Sequence, residues 1–200
     1  MLASPDDDLL FAIAEGQDGY FTMAQAEQAG FSRSNQSYHA KVGHWIREAR
    51  GIYRLRRFPV SSSGYLVPWS LWSRDRSGVP QGVYSHATAL ALHGLSDANP
   101  ARLHMTVPPG FRRNSEIPGI LVLHVAKLGP GEITMGHGYR FTRAMRSIVD
   151  CAGSGDADPD MLAQALREGL ARGLITRQEV KLARGVKTLP DSIRGLLGSS

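Results

Sequence analysis

Residues 31–57, FSRSNQSYHAKVGHWIREARGIYRLRR, constrain the fold more than any other stretch of the chain. Ser32 is an obvious helix N-cap, and Gly43 a stop after Val42, so a helix is well signalled between them. Yet the segment has almost no apolar stripe. A helix polar nearly all round is either held by contacts at its ends or presents its side chains to something other than a core. Immediately after it, in HWIREARGIYRLRRFP, apolar and polar residues alternate around Ala49-Arg50-Gly51. That pattern predicts a short hairpin with Gly at the turn.

Two further helices are predicted upstream. Ser4 serves as N-cap, Pro5 takes the first helical position, and Asp6, Asp7 and Asp8 meet the positive end of the helix dipole. Leu9, Leu10 and Ile13 then form an apolar face, and Gly16 or Gly19 ends the helix. After the short apolar pair Tyr20-Phe21, Thr22 caps a second helix, MAQAEQAG, stopped by Gly30. Helix, helix, sharp turn, polar helix, basic hairpin is the order of a winged helix-turn-helix. In that architecture the second helix of the pair enters the major groove of DNA, and the hairpin wing lies along the backbone or in the minor groove.

The candidate contacts follow from this placement. Ser32, Arg33, Ser34, Asn35, Ser37, Tyr38 and Lys41 lie on or beside the outward face of the polar helix, with His39 beside Tyr38 at the flank. Arg suits two-point contact with guanine, Ser and Asn can bond base edges or phosphates, and Lys mainly meets phosphate. Arg47, Arg50, Arg54, Arg56 and Arg57 on and after the wing would neutralise backbone charge. Two registers compete for the inward face. One buries Gln36, Ala40 and Gly43; the other buries Phe31, Tyr38, Val42 and Trp45, and would remove Tyr38 from the contact list.

Charge is distributed to match. Residues 1–19 hold five acids and no Lys or Arg, whereas residues 20–60 hold seven Lys or Arg against Glu27 and Glu48. The net charge of +5 alone would say little, since such a surplus is common. The plain alternative is a small helical domain with a solvated basic face; it requires both the element order and the basic wing to be accidental. A single cysteine, Cys151, excludes an intramolecular disulfide framework and fits a reducing compartment. With no basic leader and no run of eighteen uncharged apolar residues, the expected location is cytoplasmic, away from membranes.

The residues GYFTMAQAEQAGFSRSNQSYHAKVGHWIREARGIYRL resemble the N-terminal winged-helix domain of AbiEi-type antitoxins. The shared features are Tyr20-Phe21-Thr22, Ser32-Arg33-Ser34, and the run from Gly43 through Trp45 and Arg47 to Arg50-Gly51-Ile52-Tyr53-Arg54. SHATALALHGL at 85–95, LHMTVPPGFRR at 103–113 and YRFTRAMRSIVDCAG at 139–153 resemble successive blocks of the domain that follows it in many members. The resemblance implies a DNA-binding antitoxin of a type IV toxin–antitoxin system that represses its own operon at inverted repeats in the promoter. It also implies a nucleotidyltransferase-like toxin as partner, with antitoxin activity associated with the C-terminal part. Gln36 departs from the family pattern, which tends to be apolar there.

The expected fold class is α/β (α+β): a winged helix-turn-helix domain at 1–60, a mixed α/β domain at 61–155, and a helical extension at 156–200. SSSGYLVP at 61–68 reads as a linker or domain start, Trp69 and Trp72 have helix spacing, and Ser85 caps HATALALHGL. Strands are predicted at 102–107 and 120–125, with Thr142 capping a helix through Cys151. Asp158-Pro159 starts another, and Thr176 to Glu179 has capping-box spacing.

No catalytic residue, metal ligand or cofactor is assigned from the sequence. His86, His93, His104, His124 and His137 lack HExxH or CxxC spacing and any carboxylate at ligand distance, although His86 and His93 fall nearly on one helical face. Ser85, His86 and Asp97 lack the glycines of a nucleophile elbow. Glycines 129, 131, 136 and 138 lack the context of a phosphate loop. The expected protein is therefore not an enzyme. The alternatives are an interaction module that docks a toxin or other partner without specific DNA binding, and a nuclease-related defence protein. The second ranks lower: the helical stretch at 165–180 resembles one that precedes a nuclease domain in some proteins with this N-terminal arrangement, but such nucleases need clustered acids with a Lys, and Lys187 and Asp191 after it do not make that cluster.

Overall fold

A computed structural model describes residues 5–95, 100–113, 116–155, 157–183 and 194–195. The chain divides into two compact units, residues 1–82 with 135–140, and residues 83–134 with 141–200. It is a mixed α/β protein with helices at its C-terminal end.

In the first unit the elements are α1 (Asp7–Glu15), β1 (Tyr20–Thr22), α2 (Met23–Gln28), α3 (Arg33–Lys41), β2 (Trp45–Ala49), β3 (Ile52–Leu55) and α4 (Val67–Trp72). The hairpin β2–β3 takes β1 on its outer edge, giving an antiparallel sheet of order β1-β3-β2. Tyr20-Phe21, read only as a short apolar pair, is thus a strand, with Phe21 opposite Tyr53. Three helices and a three-stranded wing make the winged helix-turn-helix.

Local chemistry explains where the helices begin. Thr22 and Gln25 form a capping box, Gln25 N–H donating to Thr22 Oγ1 at 3.2 Å and Thr22 N–H to Gln25 Oε1 at 2.8 Å. Ser32 Oγ accepts from Asn35 N–H at 3.3 Å and starts α3. For α1 the cap is Asp6, whose carboxylate accepts from Leu9 N–H at 2.9 Å; Ser4 lies outside the described residues. An ionised acceptor at the positive end of the helix is favourable. The α1 core face is also shifted from the expected one: Leu10 and Ala14 are buried, while Leu9 and Phe11 are exposed.

Replacing Thr22 with alanine should cost about 1 kcal/mol, because one helix-start N–H loses its acceptor. Urea unfolding followed by tryptophan fluorescence checks this. An unchanged midpoint would show that the box contributes nothing.

The first core gathers Leu10, Ala14, Phe21, Ala26, Ala29, Phe31 and Trp45, with Ile13, Tyr53 and Leu55 at its edge. The stretch 61–68 is not an exposed linker throughout: Leu66 and Val67 are fully buried, and α4 packs on β1 and β3. Residues 61–82, assigned to the second domain on composition, accordingly cluster with the first unit.

The second unit contains β4 (Val83–Tyr84), α5 (His86–Leu92), β5 (Leu103–Val107), β6 (Leu121–Val125), β7 (Ile133–Met135), β8 (Arg140–Thr142), α6 (Ala144–Ser154), α7 (Pro159–Ala171) and α8 (Arg177–Ala183). Its mixed sheet has the order β6-β5-β4-β8-β7. The helix expected to be capped by Thr142 is preceded by Arg143 at the cap position, without a side-chain bond; Thr142 Oγ1 instead meets Ser147 Oγ at 2.8 Å. Asp158 caps α7, and Thr176 with Glu179 forms the predicted box before α8. Ala144, Met145, Ile148 and Cys151 fall on one face of α6 and pack with Leu90, Leu162, Leu166 and Val180.

Candidate nucleic-acid interface

Gln36 fixes how α3 sits. Its side-chain amide donates to Phe31 O at 3.0 Å and Met23 O at 3.3 Å, and only 2% of the residue is exposed. A polar side chain tolerates such burial because its N–H groups are paired. The amide thereby ties the start of α2 to the turn before α3. Its Oε1 has no partner among the described residues. The register with Gln36 and Ala40 inward therefore holds. Tyr38, at 59% exposure, and Val42, at 46%, point outward, while Phe31 and Trp45 are buried at the two ends.

With Gln36 inward, the helical period sends Ser34, Tyr38 and Lys41 to the opposite side, with Ser37 at the flank; Arg33, at the first position of α3, is exposed as well. Ser32 is engaged as the cap and also meets Ser34 Oγ at 2.9 Å; Asn35 is half-buried on the flank. Arg33 is the least favourable of these for the isolated helix, since it puts a cation in the first turn, beside the positive end of the dipole. Glu27 compensates through a 3.3 Å pair, but with 81% of its side chain exposed Arg33 remains open to a competing anion.

His39, expected with Tyr38 at the flank of the groove-facing set, turns to the core instead. Its ring stacks on Trp45, with centroids 4.8 Å apart and planes 19° from parallel, and meets Phe31 edge-on at 5.4 Å. Burial, and then the neighbouring His44, hold its pKa below the ordinary imidazole range. It closes the apolar core beneath the exposed stripe.

The wing separates its arginines into two kinds. Arg47, Arg50 and Arg57 are exposed, Arg50 at the tip beside Gly51, whose φ of +71° suits glycine. Arg54 is held within the unit: its side chain is 14% exposed, its Nε lies 3.1 Å from Glu48 Oε1, and its guanidinium sits 5.9 Å from the Tyr20 ring centre. Arg56 is exposed yet donates to Gly43 O at the end of α3. The sheet register and a bulge at Glu48 explain the division, because Arg54 faces Tyr20 and Ile46 across the strands and the bulge turns Glu48 toward it.

The result is an exposed helix surface bearing hydroxyls, a phenol and two cations, together with exposed guanidinium groups on and after the hairpin. Such a face can hydrogen-bond base edges and pair with phosphates. Of the other sequence candidates, Ser85 Oγ lies 2.9 Å from His86 Nδ1, and Asp97 falls outside the described residues, as do Lys187 and Asp191. His93 does not join His86; its Nε2 meets Thr142 O at 2.9 Å. No helix among the described residues is long and apolar enough to cross a membrane.

Residues 8–56 match the family described as "Transcriptional regulator, AbiEi antitoxin". Among solved structures, the chain is similar to the RV2827C protein from Mycobacterium tuberculosis, with a TM-score of 0.60, 15% sequence identity, and coverage of 94% of this chain and 74% of that one. That likeness speaks to the fold alone. No curated protein matches the chain.

Proposed function

We propose, from a chain whose residues 8–56 match the AbiEi antitoxin family of transcriptional regulators, that it binds double-stranded DNA through α3 and the wing and represses its own operon. The site is an inverted repeat in its promoter, and the chain serves as the antitoxin of a type IV system with a nucleotidyltransferase-like toxin. It acts by binding, without catalysis. The observation that carries the DNA reading is the exposed set Ser34, Ser37, Tyr38 and Lys41, turned outward by the buried Gln36, with Arg33 exposed at the start of the same helix.

The residues divide by role. Arg33, Ser34, Ser37 and Tyr38 face the bases, Lys41 with Arg47, Arg50 and Arg57 meets phosphates, and Ser32 and Asn35 hold the helix start at the backbone. Arg54 and Arg56 shape the wing through Glu48 and Gly43, so their contribution to binding is chiefly positional.

Two substitutions separate base reading from phosphate contact. Arg33→Ala should cost roughly 1–3 kcal/mol on the chain's own upstream duplex and narrow its preference over a scrambled one. Arg50→Ala should weaken both duplexes alike. An Arg33→Ala protein that keeps the full preference would remove Arg33 from base recognition.

A further inference from the structure

Three histidines far apart in sequence come together in the second unit, on a part of the fold that the DNA reading does not use. The β5–β6 pairing is parallel, with Thr106 opposite His124 and His104 opposite Val122. Because side chains alternate along a strand, His104, Thr106 and His124 share one face of the sheet. Thr106 Oγ1 donates to Ser85 Oγ at 2.8 Å, which brings the start of α5, and with it His86, onto that face. His104 Nδ1 lies 3.0 Å from His124 Nε2. The His86 and His124 rings are stacked with centroids 3.6 Å apart, and one ligand nitrogen from each histidine lies within 4.8 Å of the others.

We propose that His86, His104 and His124 form a binding site for a divalent transition-metal ion of the Zn²⁺ type, held by three imidazole nitrogens with a further position left to water or another small ligand.

Spacing is the first ground. Nitrogens bound tetrahedrally to zinc at about 2.0–2.1 Å stand roughly 3.3 Å from one another. The His104–His124 pair is already close to that value; closing the set draws the widest nitrogen in by about 1.5 Å and turns the His86 ring out of its stack on His124, since imidazole lone pairs lie in the ring plane. A hydrogen bond between two neutral imidazoles would account for His104 and His124, but not for the buried third ring, stacked on His124 and tilted against His104.

Orientation is the second. Ser85 Oγ sits 2.9 Å from His86 Nδ1, and is itself anchored by Thr106, so the outer nitrogen of His86 is engaged by a hydroxyl and Nε2 is the one presented. Metal-ligating histidines are commonly oriented this way through their other nitrogen. His104 is fixed at its backbone, where its N–H donates to Thr88 Oγ1 at 2.9 Å.

Backbone strain is the third. His86 has φ of +53°, in the left-handed region that a non-glycine residue enters at a cost, and such outliers gather where a side chain must be aimed.

The test uses the full chain, stripped with a chelator and titrated with Zn²⁺ by calorimetry, and with Co²⁺ by visible absorption. One equivalent should bind. Co²⁺ should give the intense visible bands of a low-coordinate site, and saturating Zn²⁺ should raise Tm by roughly 5 °C or more. His104→Gln and His124→Gln should each weaken binding at least about tenfold, removing one of three ligands. His93→Gln should leave it unchanged, and so should His44→Gln, which removes the His39–His44 pair in the first unit. Failure of the unmodified chain to take up one equivalent overturns the proposal even if a variant misfolds. Retention of full affinity in both His104→Gln and His124→Gln overturns it as well. Neither outcome bears on DNA binding.

Discussion

Raising salt from about 50 to about 200 mM should weaken binding of the chain to its own promoter duplex by about 10²-fold. The estimate follows from the number of cations the fold leaves available. Arg33, Lys41, Arg47, Arg50 and Arg57 are exposed, whereas Arg54 is paired with Glu48. If about four of the five reach phosphates, each displaces its share of condensed counterions, and the logarithm of affinity falls with a slope of roughly 3.6 against the logarithm of salt. Arg50→Ala and Arg57→Ala should each reduce that slope by about 1, and Arg54→Ala by much less. A loss below about threefold over the same range would mean that the basic wing does not lie on the backbone.

The largest effect on stability should come from Trp45→Ala. Trp45 is buried where β2 begins, with Phe21 edge-on at 4.8 Å, Phe31 at 5.2 Å, His39 stacked at 4.8 Å and Tyr53 at 6.0 Å. Truncation removes the shared partner of four rings and leaves a cavity between α3 and the wing. Replacing a buried tryptophan with alanine costs about 3–5 kcal/mol, a large part of the 5–15 kcal/mol typical of a whole domain. The first unit should lose roughly 10 °C or more in Tm. DNA binding should fail with it, because α3 and the hairpin lose their common support. Trp45→Phe, which keeps an aromatic ring, should recover most of both. Thermal unfolding followed by circular dichroism reads the effect, and a Tm unchanged by Trp45→Ala would contradict the packing described.

Much of the first unit was legible because its determinants are local. Thr22 with Gln25, Ser32 with Asn35, and Gly51 at the hairpin turn each act over three residues or fewer, and each appears in the structure where the pattern places it. What could not be read is what depends on distant partners. The inward register of α3 turns on Gln36, which looks like a surface residue until Met23 O and Phe31 O are seen to accept from its amide. The role of Arg54 depends on β1 and on a bulge, neither of which leaves a clear trace in the hairpin's alternation. Residues 61–68 look like a linker or domain start by composition, but Leu66 and Val67 are fully buried and α4 packs on the first sheet.

The histidines illustrate the same limit from the other side. His86 and His93 seem paired when only helical spacing is considered, yet they occupy opposite ends of α5 and meet different groups. His104 and His124 join His86 through a parallel strand pairing that has no local signal. A ligand set assembled from three elements is visible only after the sheet order is known.

The account rests most directly on whether α3 reads sequence. The deciding measurement is a titration of the full chain onto its own upstream duplex and onto a scrambled duplex of equal length and composition, at physiological salt. A specific repressor should prefer its own sequence by about 10³-fold or more. Equal affinity for the two would show that the exposed face of α3 does not select a site, and would contradict the repressor.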